Sequence, residues 1–285
     1  MVLKRVLSSL AVPVVAVAIA GPAEAIVRGK VARDPNGVRS SVVRIESDGG
    51  EMCSGVVVAP DLILTAAHCV LERTNYRVYT IDRGFRSRQY RAIAAALHPT
   101  FVPGTTPRTQ PGIDLALLKI AGRLGPEFRP LDPGLARRIR AGEAVTIAGF
   151  GTTAYRSKGT ARQLRETYLV SLGEVQITNS VFVAVDAERL AERTGAGACQ
   201  GDSGGPILRE AGGRYELVGI VSWSSGAFAE RKPTACGGLT AVTPVADHSD
   251  WIAARAADLA RLVQGRAPPV ASAGTNRFDW AARSP

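Results

Sequence analysis

Short runs of apolar and β-branched residues, almost all bounded by glycine, proline or polar residues, most limit what this chain can fold into. The 30 glycines and 17 prolines are spread among those runs rather than gathered in a linker, so the chain must turn often. Val, Ile and aromatic runs suit a pleated, half-buried surface, and frequent turns let many such runs pair side by side. Strands are expected at 41–45, 55–58, 62–65, 76–81, 115–120, 144–148, 168–172, 181–185, 206–208, 215–223 and 239–242. Short strands at this spacing build barrels or sandwiches, which makes the fold class all-β. Residues 243–263 differ, because Val245, Trp251, Ile252, Leu259 and Leu262 recur in an Ala-rich background, as in a helix resting one face on the body.

Residues 1–25 read as an export signal: Lys4 and Arg5 precede apolar residues 6–20, and Ala23-Glu24-Ala25 forms an A-x-A cleavage site. A membrane anchor is the poorer reading, since a spanning helix needs about 20 apolar residues and Pro13 interrupts this shorter run. The expected mature chain starts at Ile26 and is secreted, with no stable membrane insertion after signal removal. Export makes Cys53, Cys69, Cys199 and Cys236 a candidate disulfide set with three possible pairings. A zinc site is the rival, but the chain has no C-x-x-C or H-x-x-x-H spacing. Glu72 and Asp82 are too few to argue a calcium loop, and no metal or cofactor is expected.

The formal charge is +10, of which Lys4, Arg5 and Glu24 carry a net +1. The arginines are dispersed and do not interleave with aromatics, so a solvated basic surface is expected and no nucleic-acid partner. Arginine in excess of lysine and abundant alanine fit a GC-rich bacterial coding sequence and carry no chemistry. Residues 265–285, rich in Gly, Pro, Ser and Ala, read as a flexible tail.

Three segments carry chemistry. In Cys199-Gln200-Gly201-Asp202-Ser203-Gly204-Gly205-Pro206 a serine stands among glycines, which leave backbone N–H groups open to an oxyanion and keep side chains out of a substrate's way. Gly201 and Ser203 are the expected donors. In Leu64-Thr65-Ala66-Ala67-His68-Cys69 a histidine ends an apolar strand behind small residues that leave its ring accessible. Serine is a weak nucleophile at its own pKa, so an imidazole must accept its proton and later return it to the leaving group. In Ile113-Asp114-Leu115-Ala116 an acid opens an apolar strand, where a carboxylate bonded to that imidazole would fix its tautomer. His98 and His248 are expected to be structural.

These segments, in the order His, Asp, Ser, resemble the trypsin and chymotrypsin family from about Ile26 to Leu262. The resemblance implies a catalytic triad of His68, Asp114 and Ser203 in the cleft between two six-stranded antiparallel Greek-key barrels, followed by a C-terminal helix. It places the N-terminal barrel at 26–133, and the C-terminal barrel with the helix at 134–264. It pairs Cys53 with Cys69 and Cys199 with Cys236, and makes Ser222, Trp223 and Ser224 the strand that pairs with substrate backbone. It implies polypeptide substrates, and a monomer is expected.

The family's activation implies that a free Ile26 amino terminus pairs with Asp202, and here signal cleavage would itself create that terminus. The position six before the nucleophile, at the base of the specificity pocket, is Gly197. With Ala198 beside it the floor is uncharged, so an uncharged residue before the cut bond is expected, unless Glu230 or another acid of the long 225–235 loop reaches in. The alternative function is a catalytically inactive binding protein on the same fold. An esterase of the α/β-hydrolase kind is disfavoured, because Gly201–Gly205 lacks the strand-turn-helix setting of a nucleophile elbow.

Overall fold

The computed structural model describes residues 26–71, 75–157, 162–231 and 234–262, with the backbone of 277–279. The elements are β1 (Lys30–Val31), β2 (Val42–Ser47), β3 (Met52–Ala59), β4 (Leu62–Thr65), β5 (Tyr76–Ile81), β6 (Ser87–Leu97), β7 (Ala116–Ile120), β8 (Ala144–Gly149), β9 (Arg165–Gln176), β10 (Ser180–Val185), β11 (Pro206–Ala211), β12 (Arg214–Ser224), β13 (Thr240–Pro244), α1 (Ser249–Ala260) and β14 (Arg277–Asp279).

All pairings among these strands are antiparallel, and they close two barrels of six strands. The first runs β6-β5-β2-β3-β4-β7 and closes where β6 meets β7, with Ala95 opposite Leu118. The second runs β9-β10-β13-β12-β11-β8 and closes where β8 meets β9, with Ala148 opposite Glu166. Closure leaves no long free edge, and the residues turned inward supply each core. Val43, Ile45, Val57, Ile63 and Leu118 fill the first barrel, and Ile147, Phe182, Ile207, Val218 and Val242 fill the second. The short strand β1 belongs by sequence to the first half yet pairs with β9 of the second barrel.

Strands 62–65 and 76–81 fall where the sequence places them, and the other expected strands are present with somewhat different ends. Sequence reading missed β6, whose segment SRQYRAIAAAL has a single β-branched residue. Its backbone is bonded by β5 on one side and β7 on the other, and that ladder outweighs the weak local preference of alanine. The helix is shorter than expected: Thr243 and Pro244 end β13, and α1 begins at Ser249. Ile252 and Leu259, seven residues apart on one face, are buried in the first barrel's cluster. His98 and His248 pack together there, their rings 5.1 Å apart, with Trp251 4.8 Å from His98. Burial and the neighbouring His248 push the His98 imidazole down to about 4.

The expected signal at 1–25 lies outside the described residues. So does the expected tail, apart from β14, which pairs with Ala94–Ala96 of β6. No helix among the described residues is long and apolar enough to cross a membrane.

Candidate active site

Register brings the imidazole to the acid. β4 pairs with β7 so that Thr65 lies opposite Ala116. His68 sits three residues past Thr65, in the 3-10 turn Ala67–Val70, and Asp114 sits two residues before Ala116. Two neighbouring strands thus deliver both side chains to the same end of the first barrel. The Asp114 carboxylate is fully buried and lies 2.8 Å from His68 Nδ1 through Oδ2, while its Oδ1 accepts the His68 backbone N–H at 3.0 Å. Ser222, from the end of β12 in the other barrel, donates its hydroxyl to the same Oδ2 at 2.6 Å.

These contacts set the charges. Burial alone would raise the Asp114 carboxyl, but the His68 charge, the imidazole bond, the Ser222 hydroxyl and the His68 N–H hold it below its ordinary value. Burial alone would lower the His68 imidazole, but the charge and hydrogen bond of Asp114, with Glu51 adding, carry it above its ordinary value. An imidazole whose Nδ1–H is held by a carboxylate exposes Nε2 as a base.

The serine loop is anchored to the first barrel through Ser54, a residue that sequence reasoning missed. Ser54 is fully buried, its N–H donates to the Ser203 carbonyl at 2.8 Å, and its hydroxyl donates to the Gly201 carbonyl at 2.9 Å. The same hydroxyl accepts the Phe150 N–H at 2.9 Å, and the Ser54 carbonyl accepts the Thr65 hydroxyl at 2.9 Å. A small polar residue directly after Cys53 in an apolar strand was the available signal. Gly204 abuts Thr65 and Ala66, where a Cβ would collide with Thr65 Oγ1 and the Ser54 carbonyl. Residues 203–204 thereby meet the segment leading into His68. Ser203 and His68 share no hydrogen bond among the described residues, and His68 Nε2 lies 3.7 Å from Cys69 Sγ.

Gly201 has φ +94°, a region where glycine is free and other residues are strained, and a Cβ there would collide with Met52 Cε. In this conformation the N–H groups of Gly201 and Ser203 donate to no acceptor among the described residues. Next to them the buried Asp202 carboxylate accepts N–H bonds from Gly151 at 2.8 Å and Cys199 at 2.9 Å. Burial outweighs both bonds and pushes its carboxyl up to about 7. Ile26 is also fully buried, but Asp202 forms no ion pair among the described residues.

Val27 and Gly197 form an antiparallel bridge, with N–H to O distances of 3.1 and 3.3 Å, which ties the start of the described chain to the expected pocket floor. The Gly237 N–H donates to the Ala198 carbonyl at 3.2 Å, and Thr240 Oγ1 accepts the Ala198 N–H at 3.2 Å. Ser224 donates its hydroxyl to the Ala235 carbonyl. Glu230 accepts from the hydroxyls of Thr194 and Thr234, the latter at 2.6 Å, so both its oxygens are engaged.

The cysteines pair as Cys53–Cys69 and Cys199–Cys236. The first bridge joins the strand carrying Ser54 to the turn carrying His68, and the second joins the start of the serine loop to residue 236, next to Gly237. Cys53, His68 and Cys69 place ligand-type atoms within 4.8 Å of one another, but the disulfide consumes both thiolates a zinc ion would need. Asp82 is likewise engaged, by the N–H groups of Gly84 and Arg86 and by the Arg86 guanidinium.

Residues 26–252 match the Trypsin family. The chain is 30% identical to human granzyme M over 235 residues, which covers 75% of this chain and 83% of that protein. It is 29% identical to human serine protease 56 over 245 residues, covering 80% of this chain, and spans only 38% of that longer relative. The fold resembles that of mouse neuropsin, described as a serine protease, with a TM-score of 0.63 and 21% identity, covering 81% of this chain and 100% of that one. Human heparin binding protein is similar at TM-score 0.61 and 22% identity, covering 86% and 100%. With two closed barrels and a match spanning 26–252, the chain belongs to the trypsin family of serine proteases.

Proposed function

We propose that the chain is a secreted serine endopeptidase that cleaves polypeptides through an acyl-enzyme intermediate, with Ser203 as nucleophile, His68 as base and acid, and Asp114 as the group that orients His68. The observation that carries this reading is the buried Asp114 carboxylate, shared at 2.8 and 2.6 Å by His68 and Ser222 from opposite barrels. Ser203 Oγ attacks the scissile carbonyl as His68 Nε2 takes its proton, and the N–H groups of Gly201 and Ser203 receive the oxyanion. His68 then protonates the departing amine. Water, deprotonated by the same nitrogen, releases the acyl group and restores the serine. That those two N–H groups meet no acceptor among the described residues supports this assignment.

The mature amino terminus is Ile26, and its ammonium pairs with Asp202. Burial of both residues and the raised Asp202 carboxyl support the pairing, because a carboxylate so desolvated needs a cation. The residue before the cut bond is uncharged, since the floor offers Gly197 and Ala198, and Glu230 is already engaged by two hydroxyls.

A fluorophosphonate applied to the secreted protein tests this reading. Labelling that disappears in Ser203→Ala is expected. A folded, secreted wild type that takes no label favours the inactive binding protein instead.

A further inference from the structure

The segment joining β6 to β7 is braced from within and pinned to the opposite barrel. The buried Gln110 accepts the N–H groups of Val102 and Gly112 at 3.0 and 2.9 Å, and donates to the Val102 carbonyl at 2.9 Å and to the Thr105 hydroxyl at 2.7 Å. From the β9–β10 turn, the Thr178 hydroxyl lies 2.8 Å from the Gln110 carbonyl and 3.1 Å from the Arg108 carbonyl, and the Asn179 amide donates to the Gly112 carbonyl at 2.6 Å. This strap carries Arg108 to the end of β12 in the second barrel. The Arg108 Cζ sits 5.1 Å from the Trp223 ring centre, and its Nη2 donates to the Ser224 carbonyl at 3.0 Å.

A guanidinium has five N–H donors, and among the described residues Arg108 commits one of them. It has no carboxylate partner among the described residues. Beside it opens a cleft of about 370 Å³ bordered by Ile177, Trp223, Phe228, Glu230 and Leu239. Glu230 is the one carboxylate of that lining, and its oxygens are held by Thr194 and Thr234.

We propose that Arg108 is a specificity-determining residue that recruits an acidic side chain of the substrate upstream of the cut bond. The proposal rests on the endopeptidase reading above, in which substrate backbone pairs with Ser222–Ser224. Residues on paired strands advance together, so if Ser222 faces the residue at the cut, Ser224 faces the third residue upstream. A peptide there passes beneath the Arg108 guanidinium. The Ser224 carbonyl has a second lone pair for a peptide N–H, so Arg108 keeps its place over Trp223 while its free N–H edge takes a carboxylate in a charge-assisted pair.

Peptide-library cleavage by the wild type, Arg108→Ala and Arg108→Glu tests this. The wild type should favour Asp or Glu over Lys at the second to fourth upstream positions by about tenfold in kcat/KM, a charge-assisted contact on a partly screened surface. Arg108→Ala should flatten the preference, and Arg108→Glu should turn it toward Lys or Arg. An upstream profile that Arg108→Glu leaves unchanged overturns the proposal. So does an Arg108→Ala gain that is equal for all peptides, because Arg108 would then only obstruct the Ser224 carbonyl. Fluorophosphonate labelling of the same wild-type sample separates the two failures: labelled enzyme with an insensitive profile defeats the role of Arg108 alone, whereas unlabelled, uncleaving protein defeats the endopeptidase reading and this proposal with it.

Discussion

The Ser222 hydroxyl and the Asp114 carboxylate meet at 2.6 Å across the junction of the two barrels. Ser222 stands on the strand expected to pair with substrate, and Asp114 on the strand end that holds His68. One hydrogen bond therefore couples the edge expected to bind substrate to the orientation of the imidazole. Ser222→Ala removes a donor from a buried ionised carboxylate, and a hydrogen bond to a charged group is worth about 1.5–3 kcal/mol. Thermal unfolding should report a loss of that size, with kcat/KM also reduced. A variant equal to wild type in both measurements would deny the coupling.

Asp202 predicts a loss of stability on rising pH in two different windows, before and after a terminus forms at Ile26. In a form extended before Ile26 no ammonium is available there, and the carboxyl is pushed from its ordinary 3.8 to about 7. Folding then favours the protonated group, so its contribution is full below about 3.8 and is lost as pH rises toward 7. Melting temperatures of the extended form should fall across that window relative to its Asp202→Asn variant. In the mature protein the paired ammonium should titrate above its free value of about 7.7–8.0, so stabilisation and activity are lost as pH rises through that higher pKa. An alkaline limb identical in mature Asp202→Asn would contradict the pairing.

Two glycines at positive φ separate backbone strain from collision. Gly212 has φ +59°, and a Cβ added there would meet nothing within 4 Å, so Gly212→Ala should cost about 1–2 kcal/mol from backbone conformation alone. Gly204 has φ +78° and a Cβ there meets Thr65 and Ser54, so Gly204→Ala should cost clearly more and displace the serine loop. Urea midpoints compare the pair. Equal losses would mean that residues 203–204 do not press on the His68 segment.

Replacing both Cys53 and Cys69 by alanine opens a link spanning 16 residues, which the chain-entropy relation values at about 3 kcal/mol. The bridge also ties Ser54's strand to His68's turn, so fluorophosphonate labelling should slow by more than unfolding of the sample explains. Labelling that merely follows the folded fraction would reduce the bridge to a stability element.

The serine loop, the histidine segment and the acid segment are legible in the chain because each has a local reason for its composition: glycines where backbone must be bare, small residues before an exposed ring, an acid at the rim of an apolar strand. The strand pattern is legible for the same reason, since side-chain alternation and turns are local properties. Arg108 and strand β6 carry no such mark, and Ser54 carries only that of a small polar residue in an apolar strand. Ser54 matters through partners at Gly201, Ser203 and Phe150, Arg108 through Trp223 and Ser224, and β6 through ladders to β5 and β7. Local composition alone thus determined which residue types could do the chemistry and that many strands would form. Barrel closure and register decided which of them touch, because a hydrogen bond between residues 108 positions apart exists only once the chain between them has folded.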